Sequence, residues 1–162
     1  MISILFSTFI TNCLIFSYGI FLYLYIFKDR ITKNNIYEIP IFGIVILSFI
    51  SLLINFVLPL SKLIGSIILL LGLINMIIFA KNNLNILKKF INIVILSTAI
   101  SVLLLAYSNI YRPDAGLYHL PYISILNDNK IIFGLSNIHF RFGTTSIIQY
   151  ITAIQNNYIL NL

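Results

Sequence analysis

Residues 2–27, ISILFSTFITNCLIFSYGIFLYLYIF, decide the fold of this chain because they contain no charged side chain. An α-helix needs about 20 predominantly apolar residues to cross the hydrocarbon core of a bilayer. The run is too long for the core of a signal peptide, has no basic start, and ends at Lys28 without a small-residue cleavage site. It therefore predicts a membrane-spanning helix.

The composition of the whole chain also indicates a membrane protein. Hydrophobic residues make up 60% of the 162 residues and charged residues only 9%, whereas soluble domains are roughly 45–50% apolar and about 25% charged. The single cysteine, Cys13, has no partner for an intramolecular disulfide and suits a small, buried hydrophobic position. The net charge of +6 comes from residues spread among short loops, so we expect no nucleic-acid partner.

Three further apolar runs extend the pattern. Together with the first, the expected spans are about 2–27, 41–60, 63–80 and 90–107. The runs are continuously apolar and lack the alternation that the strands of a membrane β-barrel show. The predicted fold class is all-α: a polytopic transmembrane helical protein with about four spans, followed by an external loop with short interfacial helices.

The basic residues predict the orientation of the spans. The loops after the first and third spans each hold three of them, and the loop after the second holds one. In chain order they are Lys28, Arg30, Lys33, Lys62, Lys81, Lys88 and Lys89. Cytoplasmic loops carry an excess of Lys and Arg. We therefore expect a multi-pass protein of the cell (inner) membrane, with the residues after Tyr107 on the external or periplasmic side.

The tail, residues 108–162, differs in character from the spans. Pro121 is expected to bend or restart a helix, residues 127–130 to form a turn, and Thr144-Thr145-Ser146 to cap a helix over 147–154. Short helices along the membrane surface, with aromatic residues at interface depth, fit this pattern. Alternatively, the last helix is the start of a fifth span.

Asp114 is one of only four acids in the chain. One interpretation is a helix N-cap, because an aspartate there satisfies free backbone N–H groups and the helix dipole. The other is a carboxylate at the mouth of a membrane cavity, acting as a general base or a metal ligand. The two interpretations are compatible, and the sequence leaves both open.

His119 lies five residues beyond Asp114, which on a regular helix places the two side chains roughly 140° apart, on different faces. Tyr118 lies nearer the Asp114 side. The alternative to a site residue is an interfacial, hydrogen-bonded histidine. A zinc site is poorly supported because no Cys or Glu completes a ligand set.

His139 and Arg141 would point the same way if their stretch of chain is extended. Arg141 together with Arg112 could hold a phosphate, for which guanidinium geometry is well suited. The alternative is that these side chains snorkel among aromatic residues at the membrane interface.

The tail also resembles a known family. The pattern Asp114-x-x-x-Tyr118-His119-Leu120-Pro121, followed by Gly134-Leu135-x-Asn137-x-His139-x-Arg141-x-Gly143, resembles the first large external loop of GT-C-type membrane glycosyltransferases. Members take a sugar from a polyprenyl-phosphate carrier on the external face, using an acid in that loop. The resemblance, which covers 111–154, implies that Asp114 deprotonates or positions the acceptor and that Arg141 contacts the carrier phosphate. Tyr118 and His119 could line the same cavity.

The resemblance also implies a sugar donor, a partner chain and an enzyme that is incomplete in isolation. The donor would be a polyprenyl-phosphate-linked sugar, with or without a divalent metal. Because such enzymes have many more spans, we expect the chain to be an N-terminal part, inactive in isolation and completed by a C-terminal half or a second membrane chain. The alternatives are a small non-enzymatic membrane subunit or assembly partner and, less favoured, a transporter fragment, since the spans carry no acid or base near mid-membrane. The sugar and the acceptor cannot be read from the sequence.

Overall fold

The computed structural model of the protein describes residues 2–28, 31, 35–107, 114–143 and 146–160. No strand occurs in these residues, and the all-α prediction is confirmed. The α-helices are α1 Ile2–Phe21, α2 Ile39–Val57, α3 Lys62–Asn82, α4 Leu84–Tyr107, α5 Leu120–Asp128 and α6 Ile147–Ile154. Two π-helical turns, Leu22–Ile26 and Ala115–His119, and two 3-10 turns, Leu135–Asn137 and Phe140–Gly143, complete the described elements.

Four of the described helices are long and apolar enough to cross a membrane, as predicted. They cover Ile4–Ile26, Ile39–Val57, Lys62–Lys81 and Leu84–Tyr107. The last begins at Leu84, earlier than the expected 90, because its first turns carry Asn85, Lys88 and Lys89. Polar residues can continue a helix beyond the hydrocarbon core, so hydropathy alone marks the apolar part and misses the start. α6 has eight residues, fewer than a span requires.

The described chain divides into two compact units. The first comprises 1–46 and 69–110, and the second comprises 47–68 and 111–162. Each contains part of α2 and part of α3.

An aromatic cluster forms the centre of the first unit. The Phe90 ring of α4 meets Phe16 of α1 edge-on at 5.1 Å and Phe79 of α3 at 5.9 Å between centroids. The buried residues around it are Cys13, Phe16, Ile20, Tyr23, Ile31, Ile36, Ile39, Phe79, Phe90 and Val94. Cys13 is buried and unpaired, as expected. Edge-to-face aromatic pairs add to the packing that holds α1, α3 and α4 together.

Polar side chains link the same helices within their apolar surroundings. The Ser17 hydroxyl donates to the Gly72 carbonyl at 2.5 Å, and the Asn75 amide donates to the Ser17 carbonyl at 2.6 Å. The Asn12 amide donates to the Thr98 hydroxyl at 3.1 Å. Inside a bilayer such interhelical hydrogen bonds contribute about 0.6 kcal/mol each on average. They therefore set the register of α1 against α3 and α4 more than they drive association.

Two glycines let α1 and the beginning of α2 touch backbone to backbone. A methyl group at Gly19 would collide with the carbonyl of Ile39, and one at Gly43 would collide with the carbonyl of Ile15. Small residues at crossing points are the usual means by which membrane helices approach closely.

In the second unit, the end of α2 and the beginning of α3 hold the tail. The Leu60 N–H donates to the Leu126 carbonyl at 2.9 Å, and the Ile131 N–H donates to the Asn55 carbonyl at 2.9 Å. The carbonyls of Ile154 and Asn156 approach Gly65 so closely that a side chain there would displace them. These contacts fix where α5 and α6 end.

We expect Gly19→Ala to lower the stability of the protein, because the added methyl meets a backbone carbonyl that cannot rotate aside. Overpacking of this kind costs about 1–3 kcal/mol. Gly116→Ala is the matched control, since no other segment of the described chain comes within 4 Å of its added methyl and alanine is favoured over glycine in a helix by roughly 0.5–1 kcal/mol. Thermal unfolding midpoints in detergent should fall for the first and stay or rise for the second. Equal shifts would contradict the close crossing.

Candidate functional site

A widened helical turn precedes Pro121 in the second unit. Ala115–His119 form a π-helical turn, in which the Leu120 N–H donates to the Ala115 carbonyl five residues back. Pro121 has no N–H for the Leu117 carbonyl and its ring crowds that turn, so the widening has an identifiable cause. The bend expected at Pro121 thus takes the form of a π-turn.

The π-turn lies between Asp114 and His119, since Asp114 precedes it and His119 is its last residue. No described contact joins the two side chains, so the expectation that they lie on different faces stays a prediction. Asp114 has helical dihedral angles, and its side chain caps no backbone N–H of the turn.

The Asp114 carboxylate faces Arg141. Arg141 Nη1 lies 3.8 Å from Asp114 Oδ1, with the arginine side chain 43% and the aspartate side chain 57% exposed. The guanidinium carbon also lies 4.7 Å from the ring centroid of Tyr118 and 5.5 Å from that of Phe140. A carboxylate and an aromatic face both attract this cation. The structure therefore brings Asp114, Tyr118 and Arg141 together.

His119 bonds to a residue that sequence reasoning missed. Its Nδ1 lies 3.0 Å from Gln149 Nε2, while Gln149 Oε1 accepts from the Ser146 N–H at 3.1 Å. An amide nitrogen only donates, so a neutral His119 accepts at Nδ1 and carries its proton on Nε2. The Ser146-x-x-Gln149 spacing is a capping box, a pattern that could have revealed Gln149 in the sequence.

The cap on α6 was itself predicted, and Ser146 supplies it. Its hydroxyl accepts from the Ile148 N–H at 3.4 Å. Thr144 and Thr145 lie outside the described residues.

His139 makes contacts that differ from those of His119. Phe140–Gly143 form a 3-10 turn, so the extended geometry that would align His139 with Arg141 is not adopted. The His139 ring stacks on Phe140 at 5.1 Å, and its Nδ1 accepts from the Arg141 N–H at 3.3 Å. His139 therefore supports the Arg141 backbone, and the described contacts do not place it with Asp114. Arg112, the other expected phosphate ligand, lies outside the described residues.

α5 and α6 pack through two tyrosines behind this cluster. The hydroxyls of Tyr122 and Tyr150 lie 3.5 Å apart, and both residues are buried. Burial, and then the hydrogen bond with Tyr122, raise the pKa of Tyr150 well above its usual range. Tyr150 therefore stays protonated at any physiological pH and serves as a packing group.

The described residues do not fit a divalent metal. No group of three or more His, Cys, Asp or Glu side chains comes together among them. The carboxylate of Asp114 has a guanidinium beside it, which disfavours a second cation at the same oxygen atoms.

Asn55 anchors the end of α5 and was also missed as a site-positioning residue. Its amide donates to the Asn129 carbonyl at 3.0 Å and to the Leu126 and Leu58 carbonyls at 3.4 Å. Asn55 is fully buried. In the sequence it was visible only as a polar interruption of the second apolar run.

A family model described as "Domain of unknown function (DUF8201)" matches residues 1–161. No curated protein and no solved structure matches the chain.

We expect Asn55→Leu to cost about 1–3 kcal/mol of stability, because the carbonyls of Leu58, Leu126 and Asn129 lose hydrogen bonds from a fully buried amide. Amide hydrogen exchange at Leu60 and Ile131, whose N–H groups bond across this junction, should accelerate. Asn85→Leu, at an exposed asparagine, is the control. Unchanged exchange in Asn55→Leu would show that the amide does not hold α5.

Proposed function

We propose that this chain, which belongs to the DUF8201 family over residues 1–161, is part of a membrane glycosyltransferase. Its donor is a sugar on a polyprenyl-phosphate carrier. The observation that carries the proposal is the ion pair of Asp114 with Arg141, held beside Tyr118 at a π-turn. A base for the acceptor and a cation for the donor phosphate are the two groups that such a transfer requires. π-turns occur frequently at functional sites.

Stability alone is a weak explanation for the ion pair. Asp114 and Arg141 are each about half exposed, and exposed ion pairs contribute about 0–1 kcal/mol. The chain has only four acids and ten basic residues, and two of these meet beside an aromatic ring. A role in binding or catalysis explains better than packing does why two of these few charged residues meet there.

In this proposal Arg141 changes its partner when the donor binds. With no donor bound, Arg141 neutralises the Asp114 carboxylate. The donor phosphate is a diester with one negative charge and two free acceptor oxygens, which matches the carboxylate, so a bound donor competes with Asp114 for the guanidinium. As Arg141 turns to the phosphate, Asp114 becomes free to take the proton from the acceptor hydroxyl. His119, with its proton on Nε2, can donate a hydrogen bond in the same region.

We place this site on the non-cytoplasmic face of the cell membrane. The support is the concentration of Lys and Arg in the first and third inter-helix loops, which puts the segment after the fourth span on the opposite side. Polyprenyl-phosphate sugars presented on that face would reach Arg141 along the bilayer interface.

A second candidate, a membrane subunit without activity, is favoured by a different observation. Phe133, Ile138 and Phe140 are 86%, 77% and 73% exposed. Exposed apolar groups of this size mark contact with a membrane or a protein partner. The first candidate accommodates them as an interfacial anchor, and the two candidates separate on the test of Asp114.

Asp114→Asn should lower sugar transfer by about 10²–10⁴-fold, the usual contribution of a general base. Asp128→Asn is the matched control, because Asp128 is an exposed acid of the same tail that accepts from the Ser124 hydroxyl at 3.3 Å. Membranes containing the full-length protein would be supplied with radiolabelled polyprenyl-phosphate hexoses, and label in the acceptor measured. Wild-type transfer by Asp114→Asn would eliminate the base assignment. Membrane insertion of all three proteins should be equal.

Arg141→Gln should raise the KM for the donor tenfold or more, since a hydrogen bond to a charged group is worth about 1.5–3 kcal/mol. Arg141→Lys should recover part of that loss, because it restores the charge without the planar fork. Lys130→Gln, at another exposed cation of the tail, should leave KM unchanged. A fall in kcat with constant KM would assign Arg141 to positioning Asp114 instead.

A further inference from the structure

A polar-rimmed cavity lies in the first unit, outside the candidate site. Its volume is about 250 Å³, and its lining residues are Ile36, Tyr37, Lys89, Asn92 and Ile93. Ile36 is buried and belongs to the core, and Ile93 packs against that core, so the two form an apolar floor. Tyr37, Lys89 and Asn92 are exposed and form the rim.

The rim is a set of hydrogen-bond donors around one positive charge. Lys89 offers three N–H donors, Asn92 two, and Tyr37 one O–H. None of the lining residues is an acid, and no carboxylate of the described chain ion-pairs with Lys89. Glu38, next to Tyr37, is exposed and does not line the cavity. This chemistry selects an anion with several acceptor oxygens, which is a phosphate.

The length of α4 puts the rim at headgroup depth. α4 has 24 residues, about 36 Å at 1.5 Å per residue, against roughly 30 Å for a hydrocarbon core. The surplus lies at the Leu84 end, because α4 carries no charge after Lys89. Lys89 therefore stands at the boundary between the acyl chains and the headgroups. Tyrosine is enriched at this level, which suits Tyr37 on the rim.

Size favours a headgroup over a larger ligand. Pockets for drug-sized molecules run at about 300–1,000 Å³, so about 250 Å³ suits a phosphate and the first carbons attached to it. The apolar floor of Ile36 and Ile93 suits those carbons. A free phosphate would gain nothing from that floor.

We propose that this cavity binds one anionic phospholipid by its phosphate, with Lys89 as the charge partner and Tyr37 and Asn92 as hydrogen-bond donors. The site is independent of the proposed transferase chemistry, because none of its residues belongs to the second unit. By the distribution of basic residues it lies in the cytoplasmic leaflet, where anionic lipids attract Lys and Arg.

Lys88 gives the proposal a matched control. It is exposed, adjacent in sequence and equally charged, but it does not line the cavity. Purified full-length protein in zwitterionic detergent would be titrated with phosphatidylglycerol or phosphatidylcholine and the bound lipid counted by native mass spectrometry. We expect phosphatidylglycerol to bind at one copy and at least tenfold more tightly than phosphatidylcholine. Lys89→Gln should weaken it about tenfold, as expected for a lost charge-assisted hydrogen bond.

The remaining variants decide between a site and a diffuse attraction. Lys88→Gln should change affinity by at most about fivefold, the effect of one charge near an anionic surface. Lys89→Arg should restore most of the binding. Tyr37→Phe, at a 69% exposed side chain that the fold does not need, should weaken binding about two- to fivefold.

Each of the following results would overturn the proposal. Equal losses in Lys88→Gln and Lys89→Gln would show an unspecific charged surface. Both lipids carry a phosphate, and only phosphatidylglycerol has a net negative headgroup. Equal affinities for the two lipids would therefore show that the cavity does not select an anionic lipid. Displacement of the lipid by millimolar inorganic phosphate would identify a free phosphate as the occupant. If Lys89→Gln loses helical content by circular dichroism, Tyr37→Phe alone decides, and full binding by that variant rejects the site.

Discussion

The structure depends on one constraint: a peptide group in hydrocarbon has no water to bond with. Each unsatisfied backbone group there costs several kcal/mol, so the spans must be helices. Where this chain leaves regular helix, after Val57 and after Asp128, side chains and backbone groups of neighbouring segments supply the missing partners. The Asn55 amide serves three carbonyls in that junction. The same constraint explains why a single buried asparagine can hold the end of α5 in place.

The sequence was sufficient to predict the features that the bilayer imposes on the chain. Charge-free runs such as 2–27 predict spans because the bilayer excludes charge along the whole length of a helix. The sequence was insufficient to show where a helix continues beyond the apolar part of its span. The start of α4 came earlier than expected because Asn85, Lys88 and Lys89 are compatible with helix and incompatible only with hydrocarbon.

The candidate site shows the same division more sharply. Asp114, Tyr118 and Arg141 were selected from residue chemistry, and the structure gathers them. Their geometry was not predictable, because it rests on a π-turn that Pro121 promotes but does not dictate. Gln149 was predictable in principle, since Ser146 and Gln149 have capping-box spacing. Its second bond, to His119, connects residues thirty positions apart and has no local signal. The roles of these residues in sugar transfer stay predictions.

The π-turn at Ala115–His119 also means that the number of residues in the helix can change while the side chains of the cluster stay the same. Such a turn holds one residue more than a regular ladder needs. Loss of one residue from 115–117 would let the turn close as a regular helix, in which Asp114 and His119, then four residues apart, share a face. A related chain could therefore lose the π-turn by a three-nucleotide deletion, without any substitution at Asp114, Tyr118 or Arg141. Alignments that score residue identity alone would pass over such an event.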